Sequence, residues 1–339
     1  MRPLHPIRLF TAVVVFGVVW ELCARLDEKL SDGAPLFGSY GLSTLMTSDQ
    51  LGVKGRPYAR FSRWKMNSLG FRGGEVRADR ETILCVGASE TFGMYEPEGL
   101  EWARQLETEL NRRIGAEHYQ VVNAGLPGQS LSSFGRRAPA ILRQVQPSIV
   151  VLYPSPAIYI EPPPENAVVV RPRREPLLQL RISEKLASRF DDEALERLWI
   201  WMRTRRKTVW GRLPEENVSR FRRDLTKLLD LIADRRVRIV LATHATRFGA
   251  RVTPQDEPVL VAWRALYPTL EEAGFLDMEN RMNAVIRREA AARGLTLVDS
   301  ARFLEGSENF VEFTHFTAAG AGVLARAVAD AVQTGGTLE

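Results

Sequence analysis

Short apolar runs alternate with amphipathic stretches along the chain from residue 81 onward. The stretches place apolar residues on one helical face, as Phe221, Leu225 and Leu228 do. The runs have the length of buried strands and are rich in Val, Ile and Leu; they are Thr82–Val86, Tyr119–Asn123, Ser148–Tyr153, Val237–Ala242 and Leu295–Val298. This alternation predicts an α/β fold, a three-layer α/β/α sandwich around a five-stranded parallel sheet.

The first 25 residues form a separate apolar segment. Basic residues precede an apolar run from Leu9 to Trp20, which Glu21 interrupts. The run is shorter than the roughly 20 residues that span a bilayer, so a signal-peptide core is a competing interpretation. Because no small-residue cleavage site follows, we predict an uncleaved anchor over residues 1–25 with its positive end inside. The protein is then expected to be a single-pass inner-membrane protein with an exported catalytic domain; a buried helix in a cytosolic protein is the alternative.

Two further segments complete the predicted organisation. Residues 26–80 are rich in Gly, Ser and Arg with little periodicity, and we interpret them as a stalk and lead-in to a domain over 81–335. A long connection at about 162–214 separates the third and fourth predicted strands. It contains three tryptophans that favour the packing face of an inserted helical hairpin, with a lid or sugar-stacking wall as the alternative: Trp199, Trp201 and Trp210.

Composition excludes several classes of function. The net charge of +5 comes largely from arginine, clustered at 171–174 and 203–207 without interleaved aromatic residues and glycines, so we expect no nucleic-acid partner. Solvated basic faces are the simplest interpretation, and attraction to an anionic lipid or polysaccharide is the alternative. Cys23 and Cys85 lie in the N-terminal segment and a predicted core strand, so no intradomain disulfide is expected. No His/Cys cluster has metal-ligand spacing, and we predict neither a metal nor a cofactor.

A serine and a late histidine follow strand-like runs at positions that favour acyl transfer. Ser89 lies between Gly87 and Gly93 on a tight strand-to-helix turn. His315 precedes the last helix, and Glu312 stands three residues before it, where one turn brings the two into contact. A serine nucleophile needs a base, and the base needs an acceptor on its other nitrogen. We therefore predict that Ser89, His315 and Glu312 are catalytic.

Other polar residues follow the remaining strands at the same predicted edge of the sheet. Gly125 follows the second strand and has a backbone N–H that, with that of Ser89, is suited to stabilise an oxyanion. Asn123 ends that strand and His244 follows the fourth, and both are predicted to contact substrate. His244 is also the second candidate for the base, whereas His118 precedes a strand and lies at the opposite edge.

The order of these motifs resembles the SGNH (GDSL-like) hydrolase family, in particular its membrane-anchored bacterial members. The similarity covers about residues 60–335 and includes the lead-in Asn67-Ser68-Leu69-Gly70-Phe71-Arg72 and the block Gly87-Ala88-Ser89-Glu90-Thr91-Phe92-Gly93. The resemblance implies a flavodoxin-like fold with Ser89 as the nucleophile, His315 as the base, Glu312 as the acid and the Gly125 N–H as an oxyanion donor. It also implies ester hydrolysis or acyl transfer, often on O-acetylated carbohydrates.

The sequence departs from the family pattern in three places. Ala88 replaces the aspartate that normally precedes the serine, and Glu312 replaces the usual aspartate of the triad. The block after the third strand, residues 153–159, lacks the asparagine that normally donates to the oxyanion. Ser155 or Asn166 is then the candidate substitute. Losing one such donor typically costs on the order of 3 kcal/mol of transition-state stabilisation.

The sequence therefore predicts a membrane-tethered serine esterase or O-acyltransferase acting on a small-molecule or polysaccharide ester. The alternative is a catalytically degenerate protein of the same fold that binds exported glycan or serves in assembly of the cell envelope.

Overall fold

A computed structural model describes residues 6–32, 34–37, 41–161, 202, 209–249 and 252–334. Its strands, in chain order, are β1 (Met46–Asp49), β2 (Gly52–Gly55), β3 (Arg60–Phe61), β4 (Trp64–Lys65), β5 (Glu81–Gly87), β6 (Tyr119–Asn123), β7 (Ile149–Tyr153), β8 (Arg238–Ala242) and β9 (Thr296–Val298). Its α-helices are α1 (Pro6–Asp32), α2 (Ser89–Phe92), α3 (Trp102–Ile114), α4 (Leu131–Val145), α5 (Glu215–Ala233), α6 (Glu257–Leu266), α7 (Glu272–Arg293) and α8 (Ala318–Thr334).

The central sheet has five parallel strands in the order β6-β5-β7-β8-β9. Side chains alternate across it: Ile83 and Cys85 pack with α3 and α8, whereas Leu84 and Val86 pack with α4, α5 and α7. Helices therefore cover both faces, which confirms the predicted α/β sandwich. The predicted strands agree with the observed ones to within one residue at each end. Since β6 and β7 lie on opposite sides of β5, the β5/β7 boundary is a topological switch point, where open α/β sheets bind their ligands.

The segment between α1 and the central sheet contains two short antiparallel sheets, β1–β2 and β3–β4. Its apolar residues Leu45, Trp64 and Met66 form a small core with Phe92 of α2 and Leu126. The predicted stalk and lead-in over 26–80 therefore includes residues that pack directly against the turn carrying Ser89.

The prediction of an inner-membrane anchor with an exported domain is wrong. No helix in the described part of the chain is both long enough and apolar enough to cross a bilayer. The N-terminal helix α1 runs well past the apolar segment and carries charge in its second half. There Arg25 Nε donates to Glu21 Oε1 at 2.7 Å and Arg25 Nη1 donates to Leu36 O at 2.8 Å.

Most of the predicted insertion at 162–214 lies outside the described residues, as do Asn166, Trp199, Trp201 and both arginine clusters. Trp210 is described. Its backbone N–H donates to Thr269 O, and its carbonyl accepts from the N–H of Glu271, both at 2.9 Å. Its side chain packs at the edge of the core formed by α4, α5 and α7.

Candidate active site

Ser89 begins α2 two residues after β5, on a tight turn that depends on two glycines. A Cβ added to Gly87 would lie 2.1 Å from Thr91 Oγ1, and one added to Gly125 would lie 2.4 Å from Phe92 N. No side chain fits in either space, so only glycine lets α2 approach the ends of its neighbouring strands this closely. The turn holds the Ser89 side chain half-buried at the carboxyl edge of the sheet.

Three side chains bind the carbonyl groups at the other end of α2. The buried guanidinium of Arg72 donates to Gly93 O. Trp64 Nε1 donates to the same oxygen at 3.3 Å, and Asn123 Nδ2 donates to Thr91 O at 2.8 Å. The last carbonyls of a helix lack intrahelical partners and carry partial negative charge, so these donors fix the short helix and with it Ser89.

His315 and Glu312 form the pair that their spacing predicts. His315 Nδ1 contacts Glu312 Oε1, which also accepts the backbone N–H of His315 at 3.1 Å. Burial by itself lowers the pKa of His315, but the hydrogen bond to Glu312 and the charge of Glu90 outweigh it and raise the pKa above its ordinary 6.5. Since Nδ1 contacts the carboxylate, Nε2 is the nitrogen left for proton transfer.

The loop after α2 covers the His315 ring. The ring of Tyr95 packs edge-on against the imidazole with 5.3 Å between ring centroids, and it stays 43% exposed. The next residue, Glu96, is buried and accepts the Tyr95 N–H at 3.1 Å. Burial raises the pKa of Glu96 to about 7, and its Oε1 has no hydrogen-bond partner among the described residues. His315 therefore packs against an exposed aromatic ring, and the charge of the buried Glu96 acts on it.

No hydrogen bond joins Ser89 to His315 in this structure. Ser89 Oγ donates instead to Glu90 Oε2 at 3.4 Å. Nε2 of His315 is buried and has no hydrogen-bond partner within the described chain. The structure thus joins two of the three predicted triad residues directly and leaves the serine hydroxyl on a different carboxylate.

Glu90 belongs to a buried charged cluster that the sequence analysis did not predict. His244, 1% exposed, donates from Nδ1 to Glu279 Oε2 at 2.9 Å and from Nε2 to Glu90 Oε1 at 3.3 Å. Burial lowers the pKa of His244, but the two carboxylates outweigh it and raise the pKa to about 10. Burial raises the pKa of Glu90, but His244 outweighs it and lowers the pKa to about 2. His244 is therefore an imidazolium held between two carboxyl groups.

Replacing His244 with glutamine is expected to lower the free energy of unfolding by about 3 to 5 kcal/mol, because it leaves buried carboxylates without their cation. Urea denaturation near neutral pH measures the loss. His118→Gln is the matched control, because the His118 side chain is 53% exposed and its ion pair is with the partly exposed Glu81, and we expect a change within about 0.5 kcal/mol. If His244→Gln lowers the free energy of unfolding no more than the control does, the conclusion that His244 is a buried cation paired with two carboxylates is contradicted.

The ion pair of Glu90 and His244 contributes to the stability of the fold within a limited pH range. The folded pKa of Glu90, about 2, lies below its ordinary 4.5, so the contribution is present above pH 4.5 and is lost as the pH falls toward 2. The folded pKa of His244, about 10, lies above its ordinary 6.5, so that contribution is complete below pH 6.5 and is lost as the pH rises toward 10. The pair therefore stabilises the fold most between these two ordinary values.

The remaining predicted site residues have partners within the protein. The Gly125 N–H donates to Asn123 Oδ1 at 3.0 Å, and the Ser155 hydroxyl donates to Glu90 Oε1 at 3.1 Å. Asn123 and His244 were predicted to contact substrate, but each is only 1% exposed. Both hold elements of the site together: Asn123 joins β6 to α2, and His244 joins the end of β8 to Glu90 and α7.

Glu90 and Glu279 were not predicted as site residues, although each stands out weakly in the sequence as a charged residue. Glu90 is the one charged residue in the motif from Gly87 to Gly93. Glu279 lies three residues before Met282, on the apolar face of α7. A charged residue on a buried face indicates a buried partner, but His244, the cationic partner of Glu90, lies 154 residues away and no local pattern identifies it. Among the described residues, no group of His, Cys, Asp and Glu is arranged to hold a metal ion.

No protein-family model matches this chain, and no curated protein is similar enough to match. Similar solved structures include an alpha/beta hydrolase enzyme from the metagenome of Lake Arreo, Spain, at 16% identity and TM-score 0.46, covering 77% of this chain and 98% of that one. An acetyl xylan esterase is similar at 12% identity and TM-score 0.46, covering 74% and 99%. A lipase/acylhydrolase from Enterococcus faecalis is similar at 15% identity and TM-score 0.43, covering 75% and 95%. Similarities this distant assign neither a family nor an activity to this chain.

Proposed function

We propose that this chain is a serine esterase or O-acyltransferase that uses Ser89, His315 and Glu312 as its catalytic triad. The observation that carries the proposal is the state of His315. Its Nδ1 contacts the Glu312 carboxylate, and its Nε2 is buried and unpaired among the described residues. An imidazole oriented by a carboxylate with its other nitrogen free is the arrangement that a serine nucleophile requires.

The proposed reaction begins when the Ser89 hydroxyl turns from Glu90 toward His315 Nε2. Nε2 accepts the proton as Oγ attacks the ester carbonyl carbon, and the Glu312 carboxylate stabilises the imidazolium that forms. His315 then donates that proton to the leaving alkoxide, which releases the alcohol and leaves an acyl group on Ser89. Water or a sugar hydroxyl, deprotonated by the same imidazole, accepts the acyl group and restores the serine.

Backbone amides supply the proposed oxyanion site. Ser89 is the first residue of α2, where backbone N–H groups have no intrahelical partner. The Gly125 amide is the second donor once it exchanges Asn123 Oδ1 for the oxyanion. The Ser155 hydroxyl donates to Glu90 and, like the Gly125 amide, would have to leave its present acceptor in order to donate to the oxyanion.

The proposed substrate is an ester of a carbohydrate or a similar alcohol, with an O-acetyl group as the first choice. The sequence resemblance described above supports this class. The exposed ring of Tyr95 beside His315 also supports it, because aromatic side chains commonly line ligand sites and are suited to packing against a sugar ring.

A non-catalytic, glycan-binding protein is the second candidate. The bond from Ser89 Oγ to Glu90, together with the internal partners of Ser155 and Gly125, is the observation that favours it. In this case the exposed surface around Tyr95 would bind the glycan without turnover.

One experiment separates the two candidates. The full chain is incubated with p-nitrophenyl acetate and, separately, with a fluorophosphonate that labels activated serines. An esterase releases p-nitrophenol and carries one covalent label, which peptide mass spectrometry locates at Ser89. Absence of both signals, together with binding to an acetylated polysaccharide, would support the binding protein and contradict the esterase.

A further inference from the structure

Glu90 occupies the centre of the site although it follows the proposed nucleophile directly in sequence. Its side chain is 3% exposed, and Oε2 accepts the Ser89 hydroxyl at 3.4 Å. Oε1 accepts from Ser155 Oγ at 3.1 Å, from His244 Nε2 at 3.3 Å and from Thr314 Oγ1 at 3.4 Å. One carboxylate therefore joins the ends of β5, β7 and β8 to the residue immediately before His315.

We propose that Glu90 is a second acidic residue of the active site, which holds the Ser89 hydroxyl before the reaction begins and stabilises the imidazolium that His315 becomes during proton transfer. This inference rests on the proposed triad and adds a residue to it. Glu312 contacts the imidazole at Nδ1, whereas Glu90 bonds Ser89 and Thr314, the residue before His315, and its charge acts on the ring from there.

The charge on Glu90 is permanent at neutral pH, because His244 lowers the pKa of Glu90 to about 2 against the effect of burial. A carboxylate with so low a pKa is too weak a base to take the serine proton. Its charge instead favours the protonated form of His315, whose pKa the charge of Glu90 raises. Glu279 balances the other side of His244, so that the cluster keeps a net negative charge beside His315 when both carboxyl groups are ionised.

Groups from three parts of the chain contact His315 or act on it through their charge. Glu312 contacts Nδ1 and the Tyr95 ring packs against the imidazole, while the charges of Glu90 on α2 and Glu96 on the loop after α2 act on it. Glu312, Glu90 and Glu96 all raise the pKa of His315. A change of one residue therefore shifts the titration of His315 without abolishing it, which makes the contribution of Glu90 measurable.

The test is the titration of His315 by NMR in the full chain with labelled histidine, which does not depend on turnover. Glu90→Gln is expected to lower the His315 midpoint by about one pH unit. Glu90→Asp keeps the charge and is expected to restore a midpoint near that of the wild type. Glu289→Gln is the matched control, because Glu289 is also a buried glutamate but pairs with Arg222 and Arg293, and it is expected to leave the midpoint unchanged.

A second measurement uses the wild-type chain alone and covers the case in which Glu90→Gln does not fold. With glutamate labelled at the side-chain carboxyl carbon, the Glu90 resonance is expected to show an inflection at the midpoint of His315. The inference would be overturned if the His315 midpoint is unshifted in folded Glu90→Gln. It would also be overturned if the Glu90 chemical shift does not change at the midpoint of His315.

Kinetics distinguish this inference from the proposed function. On p-nitrophenyl acetate, Glu90→Gln is expected to lower the plateau kcat by up to about tenfold with KM little changed, since the lost interaction acts on proton transfer. Ester turnover that depends on Ser89, with no shift of His315 and no loss of kcat in Glu90→Gln, would refute the role of Glu90 and keep the triad. If the His315 midpoint shifts in Glu90→Gln but the wild-type chain hydrolyses no ester, the esterase proposal is refuted and the electrostatic coupling between Glu90 and His315 still holds.

Discussion

Replacing Ser89 with alanine is expected to lower kcat for p-nitrophenyl acetate by on the order of 10⁴-fold or more, because the variant lacks the hydroxyl that we propose as the nucleophile. Helix α2 is held by Arg72, Trp64 and Asn123 at its end and not by the serine hydroxyl, so we expect the fold to persist. Initial rates of p-nitrophenol release measure the effect, and circular dichroism checks the fold.

The matched control for Ser89→Ala is Ser148→Ala. Ser148 is exposed at the opposite edge of the sheet, where its hydroxyl donates to Glu81 Oε1 at 2.7 Å. Its substitution is expected to leave kcat within about twofold of the wild type. Equal rates for Ser89→Ala and the wild type would refute Ser89 as the nucleophile, and a comparable loss in Ser148→Ala would mean that the assay reports stability instead of chemistry.

His315→Gln is expected to lower kcat about as far as Ser89→Ala does, and the double variant is expected to lose no more than either single variant. Residues that act as one unit show this non-additivity, because the serine is inactive without its base. Losses that multiply in the double variant would show that the two residues act independently. His118→Gln is the control, since His118 lies on the opposite edge of the sheet beside Glu81.

The pH dependence of the wild type tests the same base. His315 accepts a proton only in its neutral form, and its folded pKa is raised above the ordinary 6.5. The rate kcat/KM is therefore expected to fall as the pH drops through a midpoint above 6.5, and to level off on the alkaline side. A midpoint well below that value would mean that a different group is the base.

Much of the central sheet can be predicted from sequence, because buried parallel strands are continuous apolar runs with clear ends. The contact between His315 and Glu312 can be predicted as well, since both lie on one short loop. The strands β3 and β4 have two residues each and show no periodicity, so no pattern identifies them.

The partners of Glu90 are unpredictable from sequence for a different reason. Polar residues are normally exposed, and only the assembled sheet brings Glu90, His244 and Glu279 together from three distant segments. The membrane anchor was predicted from a local apolar run. That prediction failed because the described helix α1 continues into charged residues, including Glu21 and Arg25.

Residues before β5 hold the end of α2, and these contacts limit how far the protein can be shortened from its N-terminal side. Trp64 and Arg72 come from the segment before β5, yet they supply two of the three donors that hold the end of the serine helix. A truncated version that starts at the first strand of the central sheet would keep all five parallel strands and lose these donors. A shortened version that keeps these donors and the small core around Leu45 therefore has to begin before the hairpins, at or ahead of Leu42.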